Sequence, residues 1–267
     1  MDDWRSYDGV AEIYDRVHAP RLVEPARDLV AFVAPPAGGK VLDVGTGTGV
    51  TAEVAAQALG DGGVVVGVDP SFGMLRVGAK ARPDLQLAAA DAIDLPFRDG
   101  AFDVVTASFV VSHFTKYETA LYDMIRVLRL GGRLALSSWA DGNRDELQKT
   151  WVELVESVIG EVMLADVHRR AVPWSERFAD REATEETLMG AGLRHVRVER
   201  RQYHFRYSLE EYVEGLETWS TGRFVRSMLG PSSWEQFRLR ARQLFGERFA
   251  DPVNDFRDVW LAIATKV

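Results

Sequence analysis

The sequence contains no cysteine. That one absence removes disulfides, thiolate nucleophiles, Cys-ligated zinc and iron–sulfur clusters together. Positive charge is also short: 32 Lys and Arg stand against 40 Asp and Glu, a net charge of −8. The chain as a whole therefore repels a phosphate backbone, and a nucleic-acid partner would need a local basic patch. Long apolar runs are missing as well. No stretch approaches the ~18 uninterrupted residues of a membrane helix. The N-terminal segment carries Asp2, Asp3, Asp8 and Glu12 where a signal peptide would be basic and then apolar. These absences predict a cytoplasmic protein with no membrane span and no nucleic-acid partner.

What is present is an ordinary globular composition. The 267 residues are 46% hydrophobic and 27% charged, which excludes disorder and fibres. From Lys40 to Trp139, short apolar runs alternate with amphipathic segments, the pattern of βαβ units with buried parallel strands. Strands are expected at Val41–Val44, Val64–Asp69, Phe102–Ser108 and Arg133–Trp139, with Leu85–Ala89 as a short fifth. Helices fit at Thr51–Leu59, Phe72–Ala81 and Glu118–Leu128, and glycine pairs punctuate the turns. With right-handed crossovers this is a three-layer α/β sheet.

Beyond Trp139 the texture changes. Residues 140–192 and 208–250 read as helical inserts, 193–207 as a charge-rich edge strand, and Val259–Thr265 as a closing strand. Five of the seven tryptophans fall between residues 139 and 234, and none between 35 and 138. One domain is expected over 1–267: N-terminal lid helices over 1–34, a cofactor core over 35–139, the two inserts, and closing strands over 193–207 and 257–267.

The strongest local feature is the run Val41-Leu42-Asp43-Val44-Gly45-Thr46-Gly47-Thr48-Gly49, an apolar strand entering three alternate glycines before a helix. Glycines permit φ > 0 and leave no Cβ in the way, and the helix N-terminus favours an anion. Asp69 ends the next strand, twenty-four residues after Gly45, where a carboxylate can accept both hydrogen bonds of a ribose diol. The spacing is G-x-G-x-G, unlike the G-x-G-x-x-G of dinucleotide folds. Asp43 adds a carboxylate beside the loop, which suits an ammonium better than a diphosphate. Asp91, after the third strand, can accept from an adenine amino group.

Together these residues resemble the class I S-adenosylmethionine-dependent methyltransferases, in the small-molecule branch that includes the ubiquinone/menaquinone methyltransferases. The matching pieces are the Asp43–Gly49 loop, Val66-Gly67-Val68-Asp69-Pro70-Ser71 with Met74-Leu75, Ala90-Asp91-Ala92 with Leu95-Pro96-Phe97, Phe102-Asp103-Val104-Val105, and Arg126 to Leu134 around Gly131-Gly132. Leu130 stands where that family usually has proline, which bears on a turn. The resemblance implies a Rossmann-like sandwich, a seven-stranded mostly parallel sheet in order 3-2-1-4-5-7-6, and S-adenosylmethionine as cofactor with S-adenosylhomocysteine as product. It further implies that Gly45, Thr46 and Gly47 line the methionine moiety and that Asp69, followed by Pro70, binds the ribose. Met74 would lie on the adenine, Asp91 and Ala92 would read the adenine edge, and Ser108 and Phe109 would sit beneath the sulfonium. Tyr14, in a segment resembling the lid helix, would cover the cofactor.

For chemistry the candidate is His113, just past the fourth strand, as a general base. His168, His195 and His204 have no partners at ligand spacing, and no metal is expected. Arg223 and Arg226, three apart on a helix, read as a solvated face. Trp139, Trp151, Trp174, Tyr212 and Trp219 form a candidate pocket wall, because ligands bind outside the carboxyl ends of parallel strands. The expected acceptor is a small, mostly apolar or aromatic molecule methylated at oxygen, carbon or nitrogen, and the protein a monomer or homodimer. A nicotinamide oxidoreductase and a non-catalytic S-adenosylmethionine-binding protein are the alternatives.

Overall fold

Short β-branched runs bounded by glycine turns become strands, and the amphipathic stretches between them become the covering helices. The structure, a computed structural model, describes residues 5–140, 142 and 145–267. Those parts of the expected lid (1–34) and first insert (140–192) that fall on residues 1–4, 141, 143 and 144 lie outside the described residues. In chain order the elements are α1 (Ala11–Val17), α2 (Ala19–Val33), β1 (Lys40–Val44), α3 (Val50–Leu59), β2 (Val64–Asp69), α4 (Phe72–Ala81) and β3 (Gln86–Ala89). Then come β4 (Phe102–Ser108), α5 (Tyr117–Val127), β5 (Leu128–Trp139), α6 (Glu146–Ile159), α7 (Glu161–Ala171), α8 (Ser175–Ala179) and α9 (Arg181–Gly190). The chain closes with β6 (Arg194–Tyr207), α10 (Leu209–Leu216), α11 (Ser220–Met228), α12 (Pro231–Arg248) and β7 (Val253–Thr265).

The seven strands lie in the order β3-β2-β1-β4-β5-β7-β6. Strands β1 to β5 pair in parallel, and β7 runs antiparallel to both neighbours. The expected order and the antiparallel last strand are both present. The largest boundary differences from the sequence reading are the starts of β5 and β7. Leu128 is not the last residue of a helix: it pairs with Phe102, and the ladder resumes at Val104 with Arg133 after a register shift. Strand β7 begins at Val253 instead of Val259, because Val253 to Asp258 pair with β6 from Tyr207 to Gln202. Of those six residues only Val253 and Phe256 are apolar, so apolar periodicity alone does not mark a strand there.

Both faces of the sheet are packed. One core joins β1 and the β6–β7 ribbon to α2, α3, α6 and α10 to α12, with Trp151 and Phe245 among its fully buried members. The other joins Leu42, Val105 and Leu136 to α5, α8 and α9. Val41, Leu42 and Val44 of β1 are at most 1% exposed, and each such burial contributes roughly 1.5–3 kcal/mol. This clamps the start of the glycine loop from both sides. Helix α4 starts at Ser71, whose Oγ accepts from Met74 N, and α10 starts in a reciprocal Ser208–Glu211 capping box. Among the described residues no helix is long and apolar enough to cross a membrane. Nor, among the described residues, is any group of three His, Asp or Glu placed to hold a metal.

Candidate active site

The glycine loop leaves β1 at the carboxyl edge of the sheet. Its backbone is held by Gly45 N and Thr46 N, which donate to the Val68 carbonyl at 2.8 and 3.0 Å. Gly45 has φ +68°, and a Cβ there would lie 2.5 Å from Val110 Cγ2; Gly47, at φ +57°, faces Met74 Cε. Left-handed backbone with no room for a side chain restricts Gly45 to glycine. Asp43 is fully buried beneath the loop, where Thr46 Oγ1 and Thr106 Oγ1 donate to its two oxygens at 2.6 and 2.7 Å. The carboxyl thus ties the loop to β4, and Thr46 presents backbone, not hydroxyl, to the open side.

Burial pushes the Asp43 carboxyl up from 3.8 to about 6, with the two hydroxyls pulling the other way. Because the folded pKa lies above the unfolded one, its stabilisation is complete below about pH 4 and is lost as pH rises through about 6. Asp43→Asn, which cannot ionise, is therefore expected to gain on the wild type between pH 4 and 6.5 by on the order of 2–3 kcal/mol. Urea unfolding of both proteins across that range reads the difference, and a pH-independent offset would contradict it.

Asp69 ends β2 beside the loop. Gly47 N and Ser71 N donate to its two oxygens at 2.9 and 2.8 Å. Desolvation raises its pKa while these amides oppose the rise. Pro70 turns the chain into α4, where Met74 is buried against the loop. Asp91 and Ala92 follow β3, whose Ala89 is in register with Asp69. Asp91 is exposed and accepts from Ile93 N at 3.2 Å, and Ala92 is buried. The two carboxylates thus stand at the ends of adjacent strands. Ser108 Oγ is 2.8 Å from Ser137 Oγ of β5, and Phe109 follows in the left-handed region at φ +56°. Such a conformation in a bulky residue costs on the order of 1–3 kcal/mol and clusters at functional sites. Here it stacks the Phe109 ring on Trp139, 4.4 Å between centroids.

The N-terminal segment closes over this edge. Asp8 accepts from Ser71 Oγ and Gly73 N, both at 2.6 Å, which holds its carboxyl below the usual range. Tyr14 lies edge-on to Tyr7, 6.0 Å away, and Asp69 adds to the burial that raises its phenol. A line of rings continues from Tyr14 to His18 at 5.5 Å, Tyr207 at 6.5 Å and Tyr212 at 5.3 Å. His113 packs on Tyr7 at 6.2 Å and donates to the Ala171 carbonyl; burial and Arg223 bring its pKa down to about 4. It is therefore neutral at pH 7 and a weak base.

The aromatic wall divides. Trp139, Tyr212 and Trp219 share the face of the sheet that carries Phe109, with the Arg257 guanidinium carbon 5.5 Å from both indole centroids. Trp151 is on that face but is core: 2% exposed, edge-on to Phe237 and donating to Thr221 Oγ1 at 2.9 Å. Trp174 belongs to the opposite face, packed on Tyr117 at 4.5 Å. Arg223 is no solvated residue, being 5% exposed and 3.9 Å above the Tyr7 ring, whereas Arg226 is exposed. Sequence reading overlooked His18, Tyr207, Asp255 and Arg257. Asp255-Phe256-Arg257-Asp258 has a single apolar residue, so no local alternation marked a strand there.

A nucleoside with a charged amino-acid tail fits what is present. The loop offers bare glycine backbone, Asp69 keeps lone pairs beyond its two amide bonds, and Met74 gives an adaptable apolar surface.

Residues 42–136 match the family model described as a methyltransferase domain. The chain is 44% identical over 103 residues to the demethylmenaquinone methyltransferase of Renibacterium salmoninarum, covering 39% of this chain and 42% of that protein. The chain spans about half the length of the curated relatives it matches. Among solved structures, phosphoethanolamine N-methyltransferase 2 of Haemonchus contortus superposes with a TM-score of 0.60 at 18% identity, over 100% of this chain and 61% of that one. The [4+2]-cyclase SpnF superposes with a TM-score of 0.57 at 16% identity, over 98% and 97% of the two chains. Residues 42–136 thus match a methyltransferase domain and are similar in sequence to the demethylmenaquinone methyltransferases, and the fold of the chain is that of the methyltransferase structures it superposes on.

Proposed function

We propose that this chain transfers the methyl group of S-adenosylmethionine to a small, mostly apolar or aromatic acceptor, at oxygen, carbon or nitrogen. The observation that carries the reading is the joining of the Gly45–Gly47 loop and Asp69 to an aromatic-lined region made by Tyr7, Tyr14, Phe109 and Trp139 at the carboxyl edge of the sheet. Gly45, Thr46 and Gly47 would hold the amino-acid tail through backbone amides, Asp69 the ribose, and Met74, Asp91 and Ala92 the adenine. The bound cofactor supplies an already activated methyl group. The protein's task is then orientation and exclusion of water, effects that together supply about 7–11 kcal/mol in favourable cases. Phe109 and Trp139 set one wall for the acceptor, and Tyr14 with Tyr7 covers the cofactor side. His113 contributes a neutral hydrogen-bonding wall, because its low pKa suits it poorly to take a proton.

Protein incubated with methyl-labelled S-adenosylmethionine and a pool of small metabolites is expected to yield label in an acceptor and an equal amount of S-adenosylhomocysteine. Tight binding of NAD(P)H without binding of S-adenosylhomocysteine would overturn the reading. A second reading draws on the likeness to the [4+2]-cyclase SpnF, since one fold hosts several chemistries. Under it, S-adenosylhomocysteine binds and no label moves to any acceptor.

A further inference from the structure

Methyl transfer leaves one buried polar group unexplained. Asp255 and Arg257 stand on the same side of β7, opposite Phe205 and Tyr203 of β6. Arg257 Nε donates to both oxygens of Asp255, at 2.8 and 3.0 Å. Asp255 is 3% exposed, so the guanidinium is fixed from behind and its two Nη groups remain at the front. With its amide oxygen turned toward Arg257, Gln148 lies 3.0 Å from all three guanidinium nitrogens and caps one face. Trp139 and Trp219 flank the guanidinium at 5.5 Å. Tyr212 is also 3% exposed, lies within electrostatic reach of Arg257, and its hydroxyl has no hydrogen-bond partner among the described residues.

Buried hydroxyls are ordinarily paired. Here the unpaired hydroxyl lies within electrostatic reach of a guanidinium whose Nη hydrogens can only donate, so a partner that bridges the two has to present accepting oxygen. A planar fork of Nη groups matches a carboxylate in particular, and two indoles suit a flat apolar body beside it. Charge is compatible with this. Burial, helped by the neighbouring Asp145 carboxylate, pushes the Asp255 carboxyl upward while Arg257 opposes the shift, a direction that favours less negative charge behind the guanidinium.

We propose that Arg257 and Tyr212 form a subsite for the carboxylate of an aromatic acceptor, whose ring lies against Trp139 and Trp219. The identification of this ligand as the acceptor rests on the methyltransferase reading; the binding itself does not. The subsite is continuous with the cofactor side through Trp139 and its stacked partner Phe109, and through the ring line from Tyr212 to Tyr14.

The test is equilibrium binding of 1-naphthoate, naphthalene-1-carboxamide and 2-naphthol, followed by tryptophan fluorescence with and without S-adenosylhomocysteine. The wild type is expected to bind naphthoate about 10- to 100-fold more tightly than the carboxamide, the range for hydrogen bonds to a charged group. Arg257→Gln should erase that preference, Arg257→Lys should keep part of it, and Tyr212→Phe should reduce it several-fold. Tyr212→Phe deletes only an unpartnered oxygen and keeps the fold, so it decides the matter if Arg257→Gln unfolds. Equal binding of naphthoate and carboxamide, no binding of naphthoate, or a preference for 2-naphthol overturns the subsite. Calorimetric titration with S-adenosylhomocysteine is read separately: its failure strikes the methyltransferase reading, whereas the naphthoate result stands or falls by itself.

Discussion

Asp69→Ala is expected to lower affinity for S-adenosylhomocysteine by about 10²–10⁴-fold in calorimetric titration, while the protein stays folded. Two losses combine. The alanine removes the acceptor shared by Gly47 N and Ser71 N, which hold the loop against the start of α4. It also removes a carboxylate at the strand end where a ribose would sit. A hydrogen bond to a charged group contributes about 1.5–3 kcal/mol, and two or three such bonds reach the stated range at 1.4 kcal/mol per tenfold. Asp69→Asn keeps one acceptor and should fall between. Gly45→Val reaches a similar loss by another route, because its Cβ meets Val110 at 2.5 Å and its φ of +68° excludes a β-branched residue. Unchanged affinity in Asp69→Ala and Gly45→Val together would move the cofactor away from this loop.

Trp151→Ala is expected to destabilise the protein by about 3–5 kcal/mol, the usual cost of emptying a buried tryptophan site. The indole is 2% exposed between α6 and α12, stacks edge-on to Phe237 at 5.7 Å, and ties α6 to α11 through Thr221. Its removal leaves a cavity and an unpaired hydroxyl in the core that carries the helical inserts. Against a typical total stability of about 5–15 kcal/mol this is a large fraction. Trp151→Phe, which loses the hydrogen bond and part of the volume, should cost less. Urea unfolding gives both numbers. A stable Trp151→Ala protein with a raised acceptor KM would instead return this residue to the pocket wall.

The two variants mark how far the sequence could be read. Asp69 was legible because its evidence is local: an apolar strand, a glycine loop, a second strand ending in Asp, all within thirty residues and in fixed spacing. Trp151 was legible only as a large apolar residue on a helix face. Whether such a residue walls a pocket or fills a core depends on what α11 and α12 bring to it, and those residues lie some seventy to ninety positions away. Trp174 makes the same point on the opposite face. Arg223 reversed its reading for a related cause: a cation at helical spacing is normally solvated, but here Tyr7 covers it from the N-terminal segment.

By itself, then, the sequence determined the α/β order, the strand order through its resemblance, the loop and its acidic partner, and the kind of cofactor. These depend on short-range periodicity, on glycines where the backbone takes positive φ, and on charge at strand ends. Only the tertiary structure decided which side chains gather around Arg257. The antiparallel pairing of β7 with β5 and β6 sets Arg257 beside Trp139, and the chain folding over α10 and α11 brings Tyr212 and Trp219 to the same place. Residues more than a hundred positions apart meet there through sheet register and helix packing. No local pattern records which distant side chains will be neighbours, so the chemistry of that end became visible only in three dimensions.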